Sequence, residues 1–447
     1  MPRRRKRRRR VSLGTVVMLT LTSLVLIGFF ALLPVFTGHT DIRVDAANLA
    51  VAIDQSISQI TTLTQSVQKA SLPTQQTLFV SSTPAPQNVS SSVTAAPAAT
   101  QSSTVTFSLC AAGSIKLNSR VQKTLTDDDG YHLDVLTDQL TGALSADLSI
   151  ATVENTFIAT DKVTDVNMPV GFLSALRSAG LNALCLGHAN VLDGGIAGLQ
   201  ATRDAIAAAG MTPYGVYASE QERARMTMLN IRGVSVALLN YQNDLSNAGR
   251  KHTSDAERAF ALASQQLPTI AADIAQLRQN GAQVVVVSLC WGKAGATAPT
   301  STQRQLAQAI ADAGADIILG THSGTLQSVE LLTANRGDGQ YHPVLCSYSL
   351  GNLFTYNREK RSGLAGVLLK TNVVYDPSTG CVAFDGLTYT PTYSWRGKDG
   401  GIQRYRILLN DGETYPDFVD KDQRNVMSRC LSLVREAMAH SPVTETR

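Results

Sequence analysis

The sequence predicts an α/β domain, because strand-like apolar runs alternate with helix-patterned segments through most of the chain. The stretch from Val284 to Phe354 shows this best: it reads VVVVSLCWG, a helix-patterned segment from Gln303 to Ala313, GADIILGTHSG and SYSLGNLF. Each apolar run stops at Gly, Ser, Cys, His or Asn, so polar side chains follow buried strands, where open α/β sheets place their sites. With 44% hydrophobic residues among 447, the chain can bury a full core.

The first residues predict a membrane anchor that precedes the domain. Residues 3–10 carry eight positive charges, and no charged residue occurs from Val11 to Val35. A helix needs roughly 20 apolar residues to cross a bilayer, and no small-residue cleavage site follows Phe36. We predict a cytoplasmic basic segment (1–10), an uncleaved transmembrane signal anchor (11–35) and an extracytoplasmic remainder. The basic cluster is expected to contact anionic lipid, and nucleic acid is not an expected partner.

Two further segments connect this anchor to the domain. Within 36–70, apolar residues recur at three- and four-residue steps, at Ile53, Ile57, Ile60, Leu63 and Val67. That spacing predicts a membrane-proximal helix and leaves its self-association open. Residues 71–103 are rich in Ser, Thr, Ala, Pro and Gln and cannot bury enough apolar surface to fold, which predicts a disordered linker.

The elements of the domain follow in order. Strands are predicted at VTFSLCAAG from Thr104, at LSIATVE, at LNALCLGHAN, and at residues 228–231 and 234–241. Helices are predicted around 140–144 and at 170–179, 196–209 and 270–279, with Asp193 as the N-cap of the third. The alternating run 366–395 predicts a hairpin at a sheet edge, and 426–439 predicts a terminal helix within a C-terminal extension, 396–447.

The six cysteines show no short spacing that would pair them, although export would permit disulfides. Most of them end strand-like runs or lie within them. Buried free thiols and a disulfide between adjacent strands are therefore the two alternatives.

Taken together, the polar strand ends resemble those of the capsule-synthesis CapA-type family, which is linked to poly-γ-glutamate and built on a calcineurin-like metallophosphoesterase scaffold. The most specific matches are GADIILGTH and the YSLGN motif at Tyr348–Asn352. The resemblance covers Thr104 to Trp395. It implies a four-layer α/β/β/α sandwich in a CapA-like extracytoplasmic domain, 104–395.

The sequence departs from the family at the metal-ligand positions. The family has Gly-Asp where this chain has Gly113-Ser114, and Asn-Leu-Glu is reduced to a motif that keeps only Glu154. A histidine and a glutamate of the family are replaced by Cys290 and Ala294, and Gly324 stands at a second histidine position. A two-ion site needs several carboxylate and imidazole ligands, so the resemblance implies a degenerate metal site.

Several residues are nevertheless candidates for a functional site. One divalent ion, zinc or manganese, or no ion at all, is expected at Glu154, His188, Asn190, Cys290 and His322, and the cysteine would favour zinc. Catalytic roles fall to Glu154 and His322. Substrate-binding roles fall to Arg120, Asn155, Trp291, Ser349 and Asn352. The alternatives are structural: a hydrogen-bonded His322, a buried apolar Cys290, a turn at Asn352, and a Glu154 that faces water or pairs with Arg120, a ligand or an ion.

Three functions remain open from the sequence. The first is an envelope protein that supports synthesis or export of an anionic polymer such as poly-γ-glutamate, together with other capsule-synthesis membrane subunits. The second is a metal-dependent phosphoesterase or related hydrolase that uses the shifted ligands. The third is a non-catalytic envelope interaction module that keeps only the scaffold.

Overall fold

The computed structural model describes residues 104–127, 130–140, 142–159 and 164–446, which all belong to one compact unit. The predicted basic segment, signal anchor, membrane-proximal helix and linker lie outside the described residues and stay predictions. Within the described ranges, no helix has the length and apolar character needed to cross a membrane.

The described chain contains seventeen strands. In chain order they are β1 Val105–Lys116, β2 Thr126–Asp127, β3 Gly130–Tyr131, β4 Leu148–Val153, β5 Ala183–Cys185, β6 Thr212–Tyr214, β7 Thr227–Ile231, β8 Val234–Gln242, β9 Val284–Cys290, β10 Ile317–Thr321, β11 Val329–Ala334, β12 His342–Ser347, β13 Asn352–Thr355, β14 Ala365–Asp376, β15 Cys381–Asp399, β16 Ile402–Leu409 and β17 Thr444–Glu445.

Two of the sheets form the domain. The nine-stranded sheet has the order β16-β15-β14-β1-β4-β5-β6, with β13 beside β1 and β17 beside β15. The six-stranded sheet has the order β11-β12-β10-β9-β8-β7, and β2 and β3 form a small separate pair. The predicted hairpin is present as β14 and β15, and β16 continues it to the edge of the nine-stranded sheet.

Nine α-helices accompany the strands in the described residues. They are α1 Ser119–Thr124, α2 Phe172–Ser178, α3 Gly195–Ala208, α4 Glu220–Arg225, α5 Asn247–His252, α6 Asp255–Ala261, α7 Leu267–Gln279, α8 Ser301–Asp312 and α9 Lys421–Met438. Capping boxes begin α6, α8 and α9, in which the N-cap side chain and the third helical residue exchange hydrogen bonds.

The side chains of the central strands alternate between two cores, which gives the four predicted layers. Phe107 and Leu109 of β1 meet Val284 and Val286 of β9 in the core between the sheets. The intervening residues of β1 face α2 and α3, and those of β9 face α7 and α8. Both sheets are therefore buried on both faces by helices and by each other, and the predicted α/β/β/α sandwich is confirmed.

Two local predictions are wrong. The segment around Leu140–Leu144 is not an α-helix, because short 3-10 turns end at Leu140 and Gly142 adopts a φ of 74°. Asp193 is not the N-cap of α3: Gly194 occupies that position without a side-chain cap. The Asp193 carboxylate instead accepts hydrogen bonds from Asn190 and Ser246.

All six cysteines have free thiols. Five are buried and Cys381 is half-buried, so the structure has the first of the two predicted alternatives.

Candidate binding crevice

Parallel strands of both sheets end at a common crevice. In the nine-stranded sheet β1, β4, β5 and β6 run parallel, and in the six-stranded sheet β8, β9 and β10 do the same. A hydrogen bond of 2.9 Å between the hydroxyls of Tyr214 and Ser288 joins the two sets near their carboxyl ends. Side chains that follow these strands therefore converge, as the sequence predicted.

The crevice itself has a volume of about 360 Å³. Among the predicted site residues, Glu154, His322 and Asn352 line it. Two lysines that the sequence reading did not select, Lys116 and Lys360, line it as well. The predicted stretch Val284–Phe354 thus supplies the wall of the six-stranded sheet, and its Asn352, in β13, lies beside β1 and β4 on the wall of the nine-stranded sheet.

An ion pair occupies the wall of the nine-stranded sheet. Lys116 Nζ lies 3.0 Å from Glu154 Oε2, with 42% and 23% of the two side chains exposed. The backbone N–H of Glu154 donates to the carbonyl of Ile115, which holds the carboxylate beside the end of β1. Glu154 raises the pKa of Lys116 above its usual range, so the ammonium form is favoured. The partner of Glu154 is therefore Lys116, and Arg120 lies exposed on α1 outside the crevice.

A second cluster lies on the wall of the six-stranded sheet. Donor atoms of Asp244, Cys290 and His322 all lie within 4.8 Å of one another. Gln242 and Thr321 are both in register with Cys290, so each of the three residues lies at or just past the end of a neighbouring parallel strand. Among the described residues, no other group of three or more His, Cys, Asp and Glu side chains converges in this way.

Backbone strain marks the histidine of this cluster. His322 has a φ of 87°, in a region that residues with a side chain rarely adopt. Its Nε2 lies 3.7 Å from Asp244 Oδ2, and about a third of the side chain is exposed to the crevice. Burial, followed by the nearby carboxylates of Glu154 and Asp244, raises the pKa of the Cys290 thiol.

The other predicted metal ligands lie outside this cluster. His188 is 3% exposed, and neither ring nitrogen has a hydrogen-bond partner. Burial lowers the pKa of His188 to about 4, although Glu154 opposes the shift. Asn190 donates to the Asp193 carboxylate at 3.0 Å. Glu154 and His188 are thus outside the group of donors that Cys290 and His322 form with Asp244, and Asn190 is engaged with Asp193.

Three predicted substrate-binding residues are engaged inside the protein. Asn155 exchanges hydrogen bonds with the backbone of Leu117, and the indole of Trp291 donates to the carbonyl of Tyr348. The buried Ser349 hydroxyl bonds Ser323. Asn352 donates to two carbonyls, Gly324 at 2.9 Å and Gly363 at 2.8 Å, and still lines the crevice.

These residues do not fit two closely spaced metal ions. Such a site needs ligands from both walls, yet the ammonium of Lys116 already pairs with the Glu154 carboxylate on its wall. Ser114, buried near it, and Gly324 offer no strong ligand where the family has acidic or imidazole groups. The oxygen, sulfur and nitrogen donors of Asp244, Cys290 and His322 fit one ion, and thiolate and imidazole are ligands that zinc accepts.

Sequence comparison identifies relatives of this domain. The family model described as Bacterial capsule synthesis protein PGA_cap matches residues 108–357. The capsule biosynthesis protein CapA of Bacillus anthracis is 29% identical over 203 residues, 45% of this chain and 47% of that protein. The PGA biosynthesis protein CapA of Bacillus subtilis (strain 168) is 26% identical over 228 residues, 49% of this chain and 56% of that protein. The chain thus spans about half the length of these curated relatives.

Structure comparison gives weaker similarities. A novel phosphatase from Mycoplasma pneumoniae has a TM-score of 0.37 at 12% identity, over 72% of this chain and all of that chain. The calcineurin-like phosphoesterase YfkN from Bacillus subtilis has a TM-score of 0.34 at 12% identity, over 75% of this chain and 99% of that chain.

Proposed function

We propose that this chain, which belongs to the bacterial capsule synthesis protein PGA_cap family, is a membrane-anchored extracytoplasmic protein that supports synthesis or export of an anionic capsular polymer such as poly-γ-glutamate. The observation that carries the proposal is the pair of lysines, Lys116 and Lys360, in the crevice at the carboxyl ends of the strands. The crevice acts as a binding surface and holds no two-ion hydrolytic centre.

The crevice has the chemistry that a polycarboxylate requires. Ammonium groups attract carboxylates, and Lys116 and Lys360 supply two of them in a crevice that also carries the carboxylates of Glu154 and Glu359. A polymer carboxylate that reaches Lys116 exchanges with Glu154 as its partner, so binding includes displacement of an internal ion pair. Asn357 adds an amide group to the same lining. An extended anionic chain therefore meets fixed positive charges and hydrogen-bonding groups together.

Calorimetric titration of the purified full chain with poly-γ-glutamate at low salt tests this proposal. The Lys116→Gln, Lys360→Gln double variant is expected to bind the polymer at least about tenfold more weakly, because both attracting charges are gone. Lys398→Gln is the matched control, since Lys398 is exposed and lies outside the crevice. Equal affinity of the double variant and the wild type would remove the crevice from the proposal.

A second candidate function is hydrolysis of a phosphodiester at a single metal ion. It is favoured by one observation, the convergence of Asp244, Cys290 and His322. The test is release of nitrophenolate from bis(p-nitrophenyl) phosphate by the full chain in the presence of zinc or manganese. Turnover that disappears in Asp244→Asn would support this function. If the chain neither cleaves the ester nor binds the polymer, the remaining function is an interaction module.

The proposed location follows from the anchor predicted at residues 11–35. With this anchor the crevice would lie on the extracytoplasmic side of the membrane, and other capsule-synthesis membrane subunits are the proposed partners. Protease added to intact protoplasts is expected to degrade the domain, and a domain that stays protected until lysis would contradict this location.

A further inference from the structure

A second chemically equipped site lies far from the crevice, at the opposite end of β14. This strand runs from Ala365, next to the crevice-lining Gly363, to Asp376, which pairs with Cys381 across the hairpin. Twelve strand residues span roughly 40 Å at 3.2–3.4 Å per residue. Cys381 is also the one cysteine of the six that is not buried. Its thiol can therefore meet reagents that the other five cannot.

A histidine with a defined tautomer faces this thiol. His342 is 5% exposed at the start of β12, and its Nε2 lies 2.7 Å from Asp338 Oδ2. A carboxylate only accepts, so Nε2 carries a proton, and Nδ1 is the ring nitrogen with the lone pair. Arg336 Nη1, which can only donate, lies 3.5 Å from Nδ1 and agrees with that assignment. The Nδ1 lone pair therefore faces two groups, Arg336 Nη1 and Cys381 Sγ, and the sulfur lies 3.9 Å away.

Neighbouring side chains complete the site. The Cys381 thiol donates to Gln340 Oε1 at 2.9 Å, which holds the sulfur beside the histidine. Tyr341, between Gln340 and His342, is 67% exposed, the highest value among the exposed large hydrophobic residues of the described chain. An aromatic ring this exposed offers an apolar contact for a small reagent that approaches the sulfur. Nucleophile, base, orienting carboxylate and docking surface are thus present together.

We propose that Cys381, His342 and Asp338 form a thiol–disulfide exchange site that takes a small-molecule disulfide as its substrate. The thiol proton turns from Gln340 Oε1 to His342 Nδ1 and is transferred there. The Cys381 thiolate then attacks one sulfur of the disulfide. The disulfide bond breaks, a mixed disulfide forms at Cys381, and the second sulfur leaves as a thiolate that takes up a proton. Cys381 is oxidised and the leaving half is reduced, so electrons and atoms balance.

A small-molecule disulfide is favoured as the substrate over the cysteine of a second folded protein, because the Cys381 sulfur is only partly accessible. Cys381 is half-buried and lies against Gln340 and the buried His342, so only a small molecule can approach the sulfur closely enough to react. His342 touches the reacting sulfur and acts as the base, while Asp338 acts through the ring as a positioning residue. The site is independent of the crevice and of the polymer-binding proposal.

The experiment is the reaction of the native full chain with the aromatic disulfide DTNB, followed by absorbance of the released thiolate. One thiol per chain is expected to react quickly before denaturation, and Cys381→Ser is expected to abolish that phase. His342→Gln is expected to slow it about tenfold, less than the full effect of a general base, because free thiols partly ionise unaided. Asp338→Asn is expected to slow it by a smaller factor.

Two controls separate chemistry from folding. His440→Gln changes an exposed histidine on another part of the surface and is expected to leave the rate unchanged. Added imidazole is expected to restore part of the rate in His342→Gly and to leave the wild-type rate unchanged, which a purely structural role of the ring would not produce. An unchanged rate in His342→Gln, a fast phase that survives Cys381→Ser, or a covalent dimer as the main product would overturn the proposal.

Discussion

The two walls of the crevice have the same architecture and different chemistry. The wall of the nine-stranded sheet carries the Lys116–Glu154 ion pair and the buried, unpartnered His188. The wall of the six-stranded sheet carries three potential metal donors within 4.8 Å of one another. Parallel strands end beside the crevice in both sheets, so the difference comes from the side chains alone. The same scaffold therefore presents an ion pair on one wall and a cluster of potential metal donors on the other.

The largest expected effect tests whether the two walls share their architecture. A Cβ on Gly113 would overlap the carbonyl oxygen of Gly351, and one on Gly320 would overlap that of Tyr348. Each alanine substitution is therefore expected to lower the free energy of unfolding by about 3 kcal/mol or more, because backbone must move. Urea denaturation measures both. A loss below about 1 kcal/mol at only one of the two would show that the walls differ in packing as well as chemistry.

The next effect is a pH dependence that belongs to the nine-stranded wall. The pKa of His188 is about 4 in the folded protein, against about 6.5 in the unfolded chain. The unfolded chain binds the proton first, so stability is full above about pH 6.5 and falls by up to about 3 kcal/mol toward pH 4. In His188→Leu this part of the decline should vanish from urea denaturation curves. His440→Gln, an exposed histidine, should retain it.

A smaller effect is expected from the ion pair on the same wall. Lys116→Met leaves Glu154 without its partner in a site where 23% of the carboxylate side chain is exposed. The free energy of unfolding should fall by about 1 kcal/mol, well below the loss for a fully buried pair, because solvent still reaches both groups. The Lys116→Met, Glu154→Leu double variant should recover most of that stability. A double variant that is less stable than the single one would assign the pair a larger structural role.

The smallest stability effect is expected on the six-stranded wall. Asp244→Asn changes a carboxylate side chain that is 57% exposed. The free energy of unfolding, obtained from thermal denaturation, should therefore change by no more than about 0.5 kcal/mol. Zinc affinity, measured by competition with a chromogenic chelator, should nevertheless fall about tenfold or more, since one of three donors is lost. Affinity that does not change would remove Asp244 from the cluster.

The sequence was sufficient for the architecture because the apolar periodicity is strong. Val284–Val287 alternate between two cores, and the segments predicted to be helical at α2, α3, α7, α8 and α9 are helices. The N-cap of α3 was harder to predict from the sequence, because the Asp193 carboxylate could either cap the helix or bond elsewhere. In the structure it accepts a hydrogen bond from Ser246, a residue distant in the chain.

The site was only partly predictable, for a physical reason. Cys290 is the last residue of β9 and His322 directly follows β10, so their positions could be inferred from the strand ends. Asp244 lies two residues past β8 and Lys116 ends β1, so their roles depend on where the chain turns after the strand. For Lys116, the sequence signal that could have predicted a role in the site was its position as a charged residue at the end of a buried strand. The Cys381–His342 contact joins residues that are 39 positions apart in the chain, and no local sequence pattern predicts it.

The central claim is that the crevice no longer holds two metal ions and serves as an anion-binding surface. The most direct test is to count tightly bound zinc and manganese per full chain, by dialysis followed by elemental analysis, in the wild type and in Glu154→Gln. The account predicts at most one ion per chain, lost in Cys290→Ser and unaffected by Glu154→Gln. Two ions per chain, one of them lost in Glu154→Gln, would contradict it.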